Sequence, residues 1–464
     1  MKDREVPVDV VVGIRGAHLP VRNGSWGEIR SHFGAWVEAL GRRGGDWMSS
    51  LIRWLTAPAI EIASMANDTA AVLRREQRYR DVPAAEPSAG LIAEALVDGS
   101  FSLLVSLLVG VPESHRVRRG HQELLAMRSF IERNGWYDDP SAYHLPPPPL
   151  RAPQLTPKRA SGLRGGVTRY VEMVFESEYE PHPGEPGRER WLAHEDNGTA
   201  VAYVLEHEGL DRPWLVCTHG FSMGQPAANF QGMAARWIHE ELGLNVLMPV
   251  LPLHGPRSST RFSGGALLSP EYANVLHLFS QAVWDIRRMV DWIRRRTSAP
   301  VGLYGISLGG YTVSLASAFI DDLACVIAGI PAVDFTSLAR DNEPWAYKAY
   351  GGDLQSDWGL VAEVMHPVSP LSFEPRIPVD RRYIYAGVAD RVARPDQARA
   401  LWRHWGRPEI EWMPSGHVMA SMKSDLKPFV RRVAARHLFA SGQAPFATDA
   451  AVEWRDDAEA GQGR

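Results

Sequence analysis

Over its second half the chain alternates short, unbroken apolar runs with longer stretches of helical periodicity. The runs 214–218, 245–250, 301–306, 324–330, 383–386 and 410–413 read as buried strands, too short for helices and lacking the polar alternation of a half-exposed strand. Between them, 227–242 and 270–296 read as helices. In the longer one Val275, Leu278, Phe279, Ala282, Val283, Ile286, Met289, Val290 and Ile293 fall on one face, with Arg287, Asp291, Arg294 and Arg295 on the other. Strands alternating with helices imply the α/β class, a mostly parallel sheet covered on both faces. Ahead of these lie strand-like runs at 167–178, 190–194 and 199–206. Turn residues separate them (Pro181-His182-Pro183-Gly184, then Asp196-Asn197-Gly198), which predicts a hairpin or meander.

The first part of the chain has another texture. Ser25 and Glu28 form a capping box, and Trp26, Ile29, Phe33, Trp36, Val37 and Leu40 share one helical face. Further helices are expected at 47–55, 60–78, 89–111 and 122–134. They form a docked appendage, a surface for a homo-oligomer, or a lid or interfacial contact using 101–111. Then prolines take over: His144-Leu145-Pro146-Pro147-Pro148-Pro149, with Pro153 and Pro157 following, predict a stiff connection. The expected organisation is a helical region at 1–143, a proline-rich linker at 144–164, an α/β domain at 165–440 and a disordered tail at 441–464.

Composition narrows this picture. At 464 residues with 45% hydrophobic content and 16 Trp, the chain can bury a large core. A net charge of −4 with scattered arginines offers no hint of nucleic acid or of an anionic membrane. The two cysteines, Cys217 and Cys325, lie in apolar strands and read as buried thiols, with no disulfide framework and no metal site. The opening residues lack a signal-peptide pattern, and 101–111 is about half the length of a membrane span. A soluble, cytoplasmic protein is expected.

Candidate chemistry centres on Gly305-Ile306-Ser307-Leu308-Gly309, a strand, a tight turn carrying one serine, and a helix. Such a turn strains the serine backbone and lifts its hydroxyl above the sheet. Glycines relieve the crossing of strand and helix, and the Leu308 amide at the helix start can face a developing oxyanion. A second match, Gly220-Phe221-Ser222-Met223-Gly224, has the same local setting. A serine hydroxyl needs a base. His417, in Met413-Pro414-Ser415-Gly416-His417, hangs from a loop just past the last strand, while His404 and His437 lie in arginine-flanked helical text and read as solvated. For the carboxylate that orients such a base, Asp390 follows the strand at 383–386. Asp334 follows the strand at 324–330, and Asp396 lies in the next helix.

Together these residues resemble the α/β-hydrolase superfamily, serine esterases and lipases among them, over about residues 165–440. The resemblance implies an antiparallel strand pair, two strand–helix units and then the elbow, followed by acid and histidine in the order Ser, Asp, His. That order makes Ser307 the nucleophile rather than Ser222, which no strand–helix unit precedes. It places the acid at Asp390, with Asp334 as rival. It also assigns the His219-Gly220-Phe221 loop to the oxyanion site, through the Phe221 amide alongside that of Leu308. His254-Gly255 resembles a structural loop of the family. The insertion at about 335–378, with Trp345, Tyr347, Tyr350, Trp358, Val361, Val364 and Met365, is either a cap suited to an apolar acyl or alkyl group or an ordinary packed excursion.

The implied function is hydrolysis of a small-molecule carboxylic ester through an acyl-enzyme, without cofactor or metal. An acyltransferase or thioesterase with the same triad is the alternative within the enzyme class. A non-catalytic binding protein on the same scaffold is the alternative outside it.

Overall fold

A computed structural model describes residues 80–109, 114–162, 166–208, 211–342, 357–421, 423 and 425–439. The helices expected before residue 79, the tail at 441–464, and Trp345, Tyr347 and Tyr350 lie outside the described residues.

Strands β1 (Gln154–Ser161), β2 (Val167–Glu176), β3 (Thr199–Leu205), β4 (Trp214–Thr218), β5 (Asn245–Pro249), β6 (Val301–Ile306), β7 (Val326–Gly329), β8 (Arg382–Gly387) and β9 (Glu409–Met413) form one nine-stranded sheet in the order 1-2-3-5-4-6-7-8-9. The first three strands pair antiparallel and hand over to β5 antiparallel; from β5 to β9 every pairing is parallel. An antiparallel opening, the crossing of β4 and β5, and a parallel run onward constitute the α/β-hydrolase arrangement, with β1 as an extra edge strand.

The helices are α1 (Ala89–Val109), α2 (Ser114–Arg133), α3 (Arg188–Leu192), α4 (Pro226–Gly232), α5 (Ala235–Glu240), α6 (Ala273–Arg296), α7 (Leu308–Ala316), α8 (Phe335–Asp341), α9 (Trp358–Met365), α10 (Pro395–His404), α11 (His417–Ala420) and α12 (Leu426–His437). They cover both faces of the sheet. On one face α6 and α7 build the larger core with Leu124, Met127 and Ile131 of α2. On the other, Trp237 and Ile238 of α5 meet Phe429, Val430 and Val433 of α12. Burial of that much apolar surface is the principal stabilising contribution to the fold.

Three expectations need correction, and one helix holds more than was expected. Residues 154–161, assigned to the proline-rich linker at 144–164, are strand β1; at a sheet edge Pro157 forfeits no ladder bond that the core needs. Residues 190–194 are not a strand, because Arg188–Leu192 is a helical turn that buries Trp191. The helix at 227–242 breaks into α4 and α5 at Ala234, which sits at φ +50°. Lastly, α6 is buried on more than its apolar face. His277, Gln281, Asp285 and Arg288 run down a second side beneath the segment 177–191, where Gln281 accepts from the Trp191 indole at 2.9 Å and Asp285 pairs with Arg257 at 2.9 Å. A polar stripe with its own partners is not a solvent face.

In the insertion, Val361, Val364 and Met365 of α9 belong to the larger core, and Trp358 packs against it. Among the described residues no helix is long and apolar enough to cross a membrane.

Candidate active site

The elbow between β6 and α7 is a steric construction. Ser307 has φ +56° and ψ −115°, a region that L residues rarely adopt. Its amide donates to Gly329 O at 2.9 Å, and its carbonyl accepts from Tyr311 N at 3.0 Å, so the strained residue is held from both sides. A Cβ on Gly305 would lie 2.1 Å from Gly309 O, and one on Gly309 would lie 2.0 Å from Thr218 O. Both obstacles are backbone, so nothing can swing aside.

His417 opens α11, directly after the loop that follows β9. Its Nε2 lies 2.9 Å from Ser307 Oγ and its Nδ1 lies 2.7 Å from Asp390 Oδ2. A carboxylate only accepts, so Nδ1 carries the proton donated to Asp390, and Nε2 is free to accept from the serine hydroxyl. The other oxygen of Asp390 accepts from the amides of Val392 at 2.9 Å and Ala393 at 2.8 Å. Burial lowers the pKa of His417, but the charge and hydrogen bond of Asp390, with the charge of Asp98 added, hold it above the ordinary histidine value.

The sequence-derived residues divide cleanly. Ser307, His417 and Asp390 meet in one hydrogen-bonded chain. Ser222, although it too has positive φ (+65°), makes no hydrogen bond to a histidine among the described residues. Its motif glycine Gly224 instead lets two loops cross, since a Cβ there would lie 2.8 Å from Gly255 N. Asp334 caps α8, accepting from Ser337 N at 3.0 Å. The Gly220-Phe221 loop abuts the elbow: a Cβ on Gly220 would lie 3.5 Å from Ser307 Cβ. The amides of Phe221 and Leu308 have no acceptor among the described residues.

The other histidines that the sequence singles out, His219, His254, His404 and His437, have structural partners. His219 donates from Nδ1 to Gly220 O at 2.8 Å and accepts at Nε2 from Leu251 N at 3.1 Å; burial pushes its pKa down to about 3, so it stays neutral. His254 is buried and donates to Pro252 O at 2.9 Å. His404 and His437 are half-exposed and also hydrogen-bonded: His404 donates to Phe373 O at 2.8 Å and His437 Nε2 lies 2.6 Å from Tyr383 Oη. Both cysteines are buried free thiols. No group of three or more His, Cys, Asp or Glu side chains converges on a metal position among the described residues.

One buried carboxylate beside these residues escapes the sequence reading. Asp98 of α1 is fully buried, and its carboxylate accepts from the amides of His417 at 2.6 Å, Val418 at 3.0 Å and Arg391 at 3.2 Å. The signal lay in the chain: Glu94 and Asp98, four residues apart and so on one face, are the only charged residues of α1.

Two Mycobacterium tuberculosis proteins, Uncharacterized protein MT2702 (strain CDC 1551 / Oshkosh) and Uncharacterized protein Rv2627c (strain H37Rv), are each 38% identical to the chain over 360 residues, 76% of this chain and 84% of theirs. No family model matches. Among solved structures, acetyl xylan esterase 1 from Thermoanaerobacterium sp. is 14% identical, covers 64% of this chain and 97% of its own, and gives a TM-score of 0.44. An acetyl xylan esterase from Paenibacillus sp. R4 is 13% identical, with 70% and 95% covered and a TM-score of 0.44. Esterase Pf2001 of Pyrococcus furiosus is 12% identical, with 64% and 99% covered and a TM-score of 0.37. Likeness at that level carries nothing about substrate.

Proposed function

The chain belongs to the family of MT2702 and Rv2627c and carries an α/β-hydrolase fold, and we propose that it is a serine hydrolase cleaving carboxylic esters through an acyl-enzyme. The observation that carries this reading is the unbroken chain Ser307 Oγ, His417 Nε2, His417 Nδ1, Asp390 Oδ2, with links of 2.9 and 2.7 Å. Ser307 Oγ attacks the ester carbonyl while His417 Nε2 takes the hydroxyl proton. The carbonyl oxygen becomes an oxyanion facing the amides of Phe221 and Leu308, and Asp390 stabilises the imidazolium. Collapse of the intermediate expels the alcohol, which takes the proton from His417, and leaves an ester on Ser307. Water, deprotonated by His417, then repeats the sequence and releases the acid.

The test is covalent labelling with a fluorophosphonate probe alongside turnover of short to medium p-nitrophenyl acyl esters. Both are expected in the wild type, lost in Ser307→Ala and retained in Ser222→Ala. Labelling that follows Ser222 would reassign the nucleophile. A folded protein that neither labels nor turns over any ester would leave a binding protein on a hydrolase scaffold. Alcohol and thiol acceptors added to the same assay separate hydrolysis from acyl transfer.

A further inference from the structure

We propose that Asp98 is a positioning residue for His417: its carboxylate, delivered by α1, fixes the backbone of the histidine loop so that the imidazole spans Asp390 and Ser307. The inference rests on the serine hydrolase reading above and makes α1 part of the reaction site.

A loop carrying a base has to be held tightly, because a misplacement of about 1 Å can cost on the order of a hundredfold in rate. Around His417 little local structure does this. Helix α11 is a single turn, and its N-cap residue Gly416 has no side chain to satisfy the first amides. Those amides turn to α1. Gly416 N donates to Glu94 Oε2 at 3.0 Å, His417 N to Asp98 Oδ2 at 2.6 Å and Val418 N to Asp98 Oδ1 at 3.0 Å. Arg391 N, next to the histidine's partner Asp390, also donates to Asp98 Oδ2, at 3.2 Å. One carboxylate therefore clamps the acid loop and the base loop together. Leu91 and Ala95 of the same helix pack on Ala389, so the clamp is seated by apolar contact. A Cβ on Gly416 would come 2.8 Å from Asp98 Oδ2, so a side chain there would push the carboxylate off its amides.

The clamp is also a charge. Asp98 is surrounded by Asp390 and Arg391 from the loop after β8, His417 from α11, and Glu94 of its own helix, which pairs with Lys423. Burial first, then the neighbouring charge of Asp390, raises its carboxyl to about 6. Asp98 nonetheless favours protonated His417, the form the reaction builds up in its transition states.

Asp98→Asn removes that charge and turns an amide donor toward backbone donors. The fluorophosphonate labelling rate and kcat on a p-nitrophenyl ester are expected to fall together, on the order of tenfold to a hundredfold, with KM unchanged. The acidic limb of kcat/KM should move to lower pH, since His417 loses a group that favours its charged form. Asp98→Glu keeps the charge but shifts it by a methylene; its kcat should fall while the acidic limb stays put. A folded Asp98→Asn enzyme with wild-type kcat, or a fall without displacement of the limb, would overturn the proposal. Should Asp98→Asn fail to fold, an unchanged kcat in Asp98→Glu would do the same. Wild-type labelling that depends on Ser307 shows that the hydrolase reading stands even if Asp98 fails these tests; its absence would sink both.

Discussion

Ser307 stands on an elbow whose supports crowd around it, whereas His417 hangs from a loop held by a carboxylate 319 residues earlier in the chain. The elbow is fixed by excluded volume. Gly305 and Gly309 pass backbone atoms so closely that no other residue fits, and the strained Ser307 is pinned by Gly329 and Tyr311. The histidine loop is fixed by charge-assisted hydrogen bonds that its amides donate to Asp98 and Glu94, with the loop of Asp390 drawn into the same contacts. Steric supports are all-or-none and insensitive to pH. Carboxylate supports are graded, and that of Asp98 titrates. In the mechanism proposed above, the nucleophile thus sits on a steric support and the base on a support that carries charge.

The largest effect should come from breaking the steric side. In Gly309→Ala the new methyl would meet Thr218 O at 2.0 Å, with Thr218 fixed in the sheet between β5 and β6. The expected result is insoluble protein, or a loss of more than about 3 kcal/mol in chemical denaturation. A soluble variant of wild-type melting temperature would show that the crossing has slack. On the charged side, Asp390→Asn should leave the fold intact and disable the base. Asn can still accept from Val392 and Ala393 through one oxygen, but it presents an NH₂ to His417 Nδ1 and favours the wrong tautomer. We expect kcat to fall on the order of a thousandfold with the melting temperature shifted by only a few degrees. A loss of less than about tenfold would mean that another carboxylate orients the imidazole.

The same contrast explains what the sequence made legible. The elbow announces itself, because its steric demands fall two residues either side of the serine and are met by glycine. His417 and Asp390 announce themselves by position, each just past the end of a parallel strand. Asp98 does not, because its partners are backbone amides, which every residue has. Nothing at 416–418 says that a carboxylate is needed, and nothing in α1 says which loop its two acids face. Strand β1 hid for a related reason. Most of its residues are exposed at the sheet edge, so the apolar pattern that reveals β4 or β6 is missing, and Pro157 reads as a breaker. The buried polar stripe of α6 could not be read from the sequence either. Sequence shows that His277, Gln281 and Asp285 are polar but not that 177–191 folds back over them.

The smallest effect separates a clamp kept for stability from one kept for activity. The carboxyl of Asp98 has an ordinary value near 3.8 and is raised to about 6 in the folded protein. For an acid shifted upward, the folded state binds the extra proton between those values, so ionisation costs stability that grows as pH rises through the interval. Asn at position 98 has no such dependence. Whatever the two proteins differ by near pH 4, the stability of the wild type relative to Asp98→Asn should therefore fall on the order of 2 kcal/mol by about pH 7. Denaturant titrations of both proteins at matched pH measure it directly. A relative stability that is flat, or that rises with pH, would mean that the three amides more than offset the burial of the charge, and that Asp98 belongs with the elbow glycines as a structural fixture.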